Sequence, residues 1–198
     1  MNLLNPLPTE LSVNGKYLKI NTGFKAWFRF AKAIKRAKTD DDILNALKPV
    51  FLDKIPFHDA EEALKSCFNF FVNAKSFVNH DADGEASTAI AYDLELDSNY
   101  IFSAFLEQYG IDLTERDIHY YKFIALFDSL SENTLFKRIV SIRTNDVSKE
   151  DSKIQASYRK LQKAFEISEY SYLSAEEIAE LKAKEELEKQ EFLKKWSL

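Results

Sequence analysis

The apolar positions change period along the chain, and each period predicts an element. In LSVNGKYLKI, residues 11–20, Leu11 and Val13 stand before Asn14-Gly15, and Tyr17, Leu18 and Ile20 follow it. Both turn residues tolerate positive φ, so the stretch predicts a β-hairpin closed by a two-residue type I′ turn. A lone hairpin is marginal in water and must lean on a helix. Phe24, Trp27, Ala31 and Ile34 then recur at helical spacing with Phe28 and Phe30 beside them, and Thr22 is a candidate N-cap. Thr39 followed by Asp40, Asp41 and Asp42 marks a second helix start, with Ile43, Leu44, Leu47 and Phe51 as its buried face and Pro49 to kink or end it. A third helix is expected from about Asp59, where Asp59 and Glu62 have capping-box spacing. Leu64, Cys67, Phe68 and Phe71 form its apolar stripe.

Periodicity stops near residue 76, and VNHDADGEAST, 78–88, reads as a linker. It resumes with Ile101, Phe102, Phe105, Leu106 and Tyr109, a short helix for which Gly110 suits the C′ position. Thr114 is the expected start of the next helix. His119, Phe123, Leu126 and Leu130 align along it, and Tyr120 and Tyr121 spread over two faces, Tyr121 being the one placed to reach outward. Further helices are expected over 132–144 and 148–167, the latter with Ile154, Tyr158, Leu161 and Phe165 on one side. The last segment opens at Ser174, spaced from Glu177 as in a capping box. It carries Glu/Lys pairs at i, i+4 and an interrupted stripe of Ile178, Leu181, Phe192 and Trp196. The pattern predicts a mostly α protein with a short N-terminal β-hairpin. Its expected organisation is a hairpin with three helices over 1–76, a linker over 77–98, a helical region over 99–170 and a charged helix over 171–198.

Composition supports that class. Gly and Pro number 4 each in 198 residues, while aromatics reach 14% and Phe alone 16 copies. So few breakers favour helices, and so many rings can exceed what a chain of this length buries, leaving an apolar patch for a partner. A net charge of −5 argues against non-specific nucleic-acid binding. One cysteine forms no intramolecular disulfide. No apolar run approaches the roughly 20 residues that span a bilayer, so no membrane partner is expected. The start MNLLNPLPTEL lacks the marks of a signal peptide, and a cytoplasmic protein is expected.

Candidate chemistry is sparse. His58, His80, His119 and Cys67 are scattered without metal-site spacing, and neither phosphate-loop motif occurs. His119 falls on the edge of an apolar face with no nucleophile motif nearby, which favours a packed histidine over a general base. No catalytic, cofactor-binding or metal residue is therefore expected, and the protein reads as a non-enzyme. The row Lys25, Arg29, Lys32, Arg36 is either the solvated face of an amphipathic helix or an electrostatic dock for an acidic partner. One such partner is the Glu-rich stretch 176–191 of a neighbouring copy, which would give self-association. With Tyr121, Phe192 and Trp196, these four residues are the candidate partner-binding set.

Longer stretches carry a resemblance. PLPTELSVNGKYLKINTGFKAWFRF at 6–30, YIFSAFLEQYGIDL at 100–113, HYYKFIALFDSL at 119–130 and FKRIVSIRTNDVSK at 136–149 together resemble the phage gene-product-fifteen family over about residues 2–165. Family members often have Trp where Tyr120 and Tyr121 stand and Gly where Asp128 or Ser129 lies, and the charged segment after about 168 has no counterpart. The resemblance implies a helical, non-enzymatic tail assembly chaperone of phages and prophages. It would work in the host cytoplasm, with the tape measure protein as partner. A structural tail or connector component of the virion is the alternative.

Overall fold

The computed structural model describes residues 5–75 and 90–167, together with 179–181, 183–184 and 186–187. The protein is mostly α with an N-terminal hairpin. Strands β1 (Glu10–Val13) and β2 (Lys16–Lys19) precede α1 (Phe24–Arg36), α2 (Asp40–Leu47), a 3₁₀ turn at Phe57–Asp59 and α3 (Ala60–Lys75). Then come α4 (Ser98–Tyr109), α5 (Tyr120–Asp128), α6 (Leu135–Thr144) and α7 (Ser152–Phe165). Described residues within 1–85 and 100–137 form one compact unit, and those within 86–99 and 138–198 form a second. The stretch 99–170, grouped by periodicity into one region, is thus shared between the two.

In the first unit the hairpin turns on Asn14 (φ 48) and Gly15 (φ 77), the conformations that a type I′ turn requires. The register Leu11↔Leu18 and Val13↔Lys16 puts Leu11, Val13 and Leu18 on the covered face and Tyr17 on the exposed one. α3 packs against β1, and the Ser66 hydroxyl donates to the Ser12 carbonyl at 2.5 Å. Helix α2 starts with a capping box between Thr39 and Asp42 and ends at Leu47, two residues before Pro49. Phe51 is buried, but not on α2 as expected: it pairs with Ile20 in an antiparallel bridge, and the Leu52 amide donates to Lys19.

Helix α3 buries Cys67 as expected, but with Ala63, Phe70 and Ala74 beside it rather than Leu64, Phe68 and Phe71. The rotation follows from ring packing. Phe70 stacks on Trp27 with centroids 4.0 Å apart, and alanines at either end of the line let the backbone approach. Around fully buried Trp27 the aromatic network continues through Phe24–Phe123 at 4.6 Å, Phe123–Phe105 at 5.0 Å and Phe127–Phe136 at 5.2 Å. Each such pair contributes about 0.5–1.5 kcal/mol beyond its area burial.

Two stretches remote in sequence clasp the unit. The Phe24 amide donates to the Ile118 carbonyl at 2.9 Å, and the Tyr120 amide donates to Thr22 at 2.7 Å. Between them Gly23 bridges His119. Gly23, not Thr22, is the N-cap of α1 and offers no side chain. The second amide of the helix, Lys25 N–H, instead donates to the Asp117 carboxylate at 3.2 Å. The same clasp moves the start of α5 from Thr114 to Tyr120. Asp112 accepts from the Thr114 and Glu115 amides and the Thr114 hydroxyl, a local turn that competes with helix. His119 is then held extended in the bridge to Gly23, and the helix begins at Tyr120. Upstream, Gly110 (φ 62) ends α4, its amide donating to the Leu106 carbonyl as in the αL C-cap and the next amide donating to Phe105.

The second unit rests on a buried ion pair. Arg143 grips Asp97 in bidentate fashion at 2.6 and 2.8 Å, and also donates to the carbonyls of Ala91 and Phe165. One side chain on α6 thereby ties the segment before α4 to the end of α7. Of the stretch read as linker, 77–89 lies outside the described residues, whereas 90–98 contains Asp97, 1% exposed. The Ser174–Glu177 spacing also falls outside them, while 179–181 are helical.

A Cβ at Gly23 would collide with the Asp117 carboxylate. Gly23→Ala is expected to cost about 1–3 kcal/mol in urea unfolding, and Asp117→Ala about 0.5–2 kcal/mol. The double variant should fall short of their sum, because truncating Asp117 makes room for the methyl; strict additivity would refute the contact. Arg143→Ala leaves Asp97 buried without its cation and is expected to cost about 3–5 kcal/mol, read from the same melts.

Candidate partner-binding surfaces

His119 is built into the clasp. As N-cap of α5 its Nδ1 accepts the Tyr121 amide at 3.1 Å, and its Nε2 lies 3.0 Å from the Pro8 carbonyl. An amide can only donate and a carbonyl only accept, so the ring is the neutral tautomer with its proton on Nε2. Both nitrogens are engaged by backbone, and neither is presented to a substrate. Burial is the main cause that holds its pKa below the ordinary value. The Lys122 charge adds to that, and the Pro8 bond opposes it. Cys67 is fully enclosed: burial pushes its thiol up to about 12, the range of an inert core cysteine.

Tyr121 does not reach outward. It is 8% exposed, its ring lies 4.5 Å from Phe70, and its hydroxyl donates to the Phe70 carbonyl at 3.0 Å. Burial pushes this phenol up to about 12. Phe192 and Trp196 lie outside the described residues. The basic row is split. Lys25 is drawn into the clasp, its Nζ donating to the Thr114 carbonyl at 2.9 Å, while Arg29, Lys32 and Arg36 are exposed on α1 opposite buried Trp27 and Phe30.

One concave apolar surface was not foreseen from periodicity. A cleft of about 510 Å³ opens between α2 and the segment 51–55. Leu44, Leu47, Phe51 and Ile55 line it, Leu52 stands 64% exposed at its edge, and Asp41, Lys48, Asp53 and Lys54 supply charges of both signs. Phe57, just after the cleft-lining segment, is 63% exposed. The segment is kept from becoming helix by Pro49 and Pro56 and is aligned by its bridge to Ile20. Those flanking prolines are the available sequence signal: a leucine and a phenylalanine in or beside a short non-helical stretch have no helix face on which to hide.

Among the described residues no group of three or more His, Cys, Asp or Glu could hold a metal ion, and no helix is long and apolar enough to cross a membrane. A family model described as Bacteriophage Gp15 protein matches residues 3–167. No curated protein and no solved structure matches the chain.

The depressed pKa of His119 gives a sign for pH dependence. The unfolded imidazole, with a pKa near 6.5, takes up its proton before the folded one does. The His119 contribution is therefore complete above about pH 6.5 and is lost as pH falls below it. His119→Gln should flatten the drop in urea midpoint between about pH 7.5 and 5.5; equal slopes for wild type and variant would refute the assignment.

Proposed function

Because the chain belongs to the bacteriophage Gp15 protein family, we propose that it is a tail assembly chaperone. It would hold segments of the tape measure protein in the host cytoplasm while the tail forms, and would catalyse no reaction. The observation that carries this reading is the open apolar cleft beside α2, with Leu52 exposed at its edge. A cleft of about 510 Å³ is large enough to take several side chains of one helix face or one extended segment. Apolar anchors at i, i+3 or i+4 and i+7 are how such grooves read a helix. A long client with many similar segments gains from weak contacts repeated along it, since each neighbour raises the effective concentration of the next.

The aromatic surplus of the sequence accords with a scaffold rigid enough to present the cleft, because Trp27, Phe105 and Phe123 are packed inside. The exposed row Arg29, Lys32, Arg36 adds a positive edge for acidic stretches of the client.

Co-expression with the cognate tape measure protein is expected to give a soluble complex that is absent from finished virions. Leu52→Asp leaves the fold unchanged, because the side chain is already exposed, and lowers tape measure recovery roughly tenfold, the loss expected for one buried leucine anchor. Recovery of the chain from purified particles at fixed stoichiometry would instead identify a structural tail component. An unchanged complex with Leu52→Asp would remove the cleft from the reading.

A further inference from the structure

We propose that α7 is the docking surface for the acidic C-terminal segment of a second copy of this chain, so that two copies exchange these segments. The inference is independent of the chaperone reading. Helix α7 contains no buried residue. Ile154, Tyr158, Leu161 and Phe165 fall within about 60° of one another around it. One flank of that stripe is docked on its own chain. Gln155 donates to the Ser148 and Glu150 carbonyls, Gln162 to Asn145, and Tyr158 and Phe165 are half-buried. The other flank is open: Ile154 and Leu161, two turns apart, are 48% and 44% exposed. Ser157 and Ala164 lie next to them on the open side, small residues that let another helix come close.

Charge names the occupant. Ser152–Phe165 carries Lys153, Arg159, Lys160 and Lys163 and no acidic residue, in a chain whose net charge is −5. Lys153, Lys160 and Lys163 are exposed and make no ion pair among the described residues. The segment EEIAELKAKEELEKQE, 176–191, has the opposite sign, with glutamates outnumbering lysines seven to three. Its described positions 179–181, 183–184 and 186–187 are helical, and Leu181 and Leu187 are exposed.

Among the described residues, Ile154 and Leu161 on α7 and Leu181 and Leu187 of the segment are all exposed, which favours pairing between copies over folding back. The eight residues 168–175 span at most roughly 28 Å, a reach compatible with a neighbour. Each copy offers one receptor and one segment, so reciprocal exchange closes a two-fold dimer. The α1 row fits the segment less well than α7 does: its helix has already buried Phe24, Trp27 and Phe30, and only screened charge remains there.

The test uses the full chain and reads mass by light scattering across protein and salt concentrations. Wild type is expected to dimerise, and to dissociate as salt rises. Leu161→Glu should weaken the dimer at least tenfold with an unchanged melt, while Arg29→Glu with Arg36→Glu leaves the mass alone. Lys153→Glu with Lys160→Glu in one protein, and Glu180→Lys with Glu186→Lys in another, should make each monomeric. Mixing the two should restore a dimer, because both exchanged pairs are then complementary. A wild type that stays monomeric would overturn the proposal. So would a mass indifferent to Leu161→Glu, or the absence of a mixed dimer, the result that folding back within one chain would give.

Discussion

The first unit depends on one short backbone pairing. Thr22–Phe24 and Ile118–Tyr120 lie antiparallel, with Gly23 against His119, and this contact sets α1 beside α5. Only after that approach can Phe24 stack on Phe123 and Trp27 on Tyr120. The pairing demands a residue without a Cβ at 23, because the Asp117 carboxylate occupies that space while it caps α1 at Lys25. It also explains His119. A ring that accepts an amide on one side and meets a carbonyl on the other is a neutral strut between Pro8 and α5.

With that clasp in place, most of the largest aromatic side chains are consumed by the interior. Apolar side chains such as Tyr17, Phe68, Val72 and Leu135 stay exposed as well, but two groups stand together: Leu52 and Phe57 around the α2 cleft, and Ile154 and Leu161 along α7. These residues are exposed because their own backbone leaves them no covered face. A segment flanked by two prolines cannot rotate its leucine under a helix, and a helix anchored through Gln155 and Gln162 presents the opposite flank to solvent.

The second unit is organised by charge rather than by rings. Arg143 satisfies Asp97 with two bonds and two carbonyls with others, so the desolvation of both ions is offset by near-complete hydrogen bonding. The planar fork of arginine matches a carboxylate in a way that lysine does not. It therefore holds the segment before α4 and the end of α7 at fixed positions on α6.

What the sequence by itself determined is the set of features written in a few adjacent residues. Asn14-Gly15 makes the hairpin, Thr39 with Asp42 makes the cap of α2, and Gly110 ends α4, since each needs only local hydrogen bonds and one backbone conformation. The helical class and the family signature were legible for the same reason. Tertiary structure decided the rest. It started α5 at Tyr120 instead of Thr114, turned α3 onto Ala63 and Phe70 in place of Leu64 and Phe68, enclosed Tyr121, and buried Asp97 within a stretch that reads as a linker. Each of these depends on a partner far along the chain, such as Thr22 for Tyr120, Trp27 for Phe70 and Arg143 for Asp97. Periodicity reports how apolar residues are spaced along one helix. It carries no information on which distant group will meet them, and that meeting chose among faces that were locally almost equivalent.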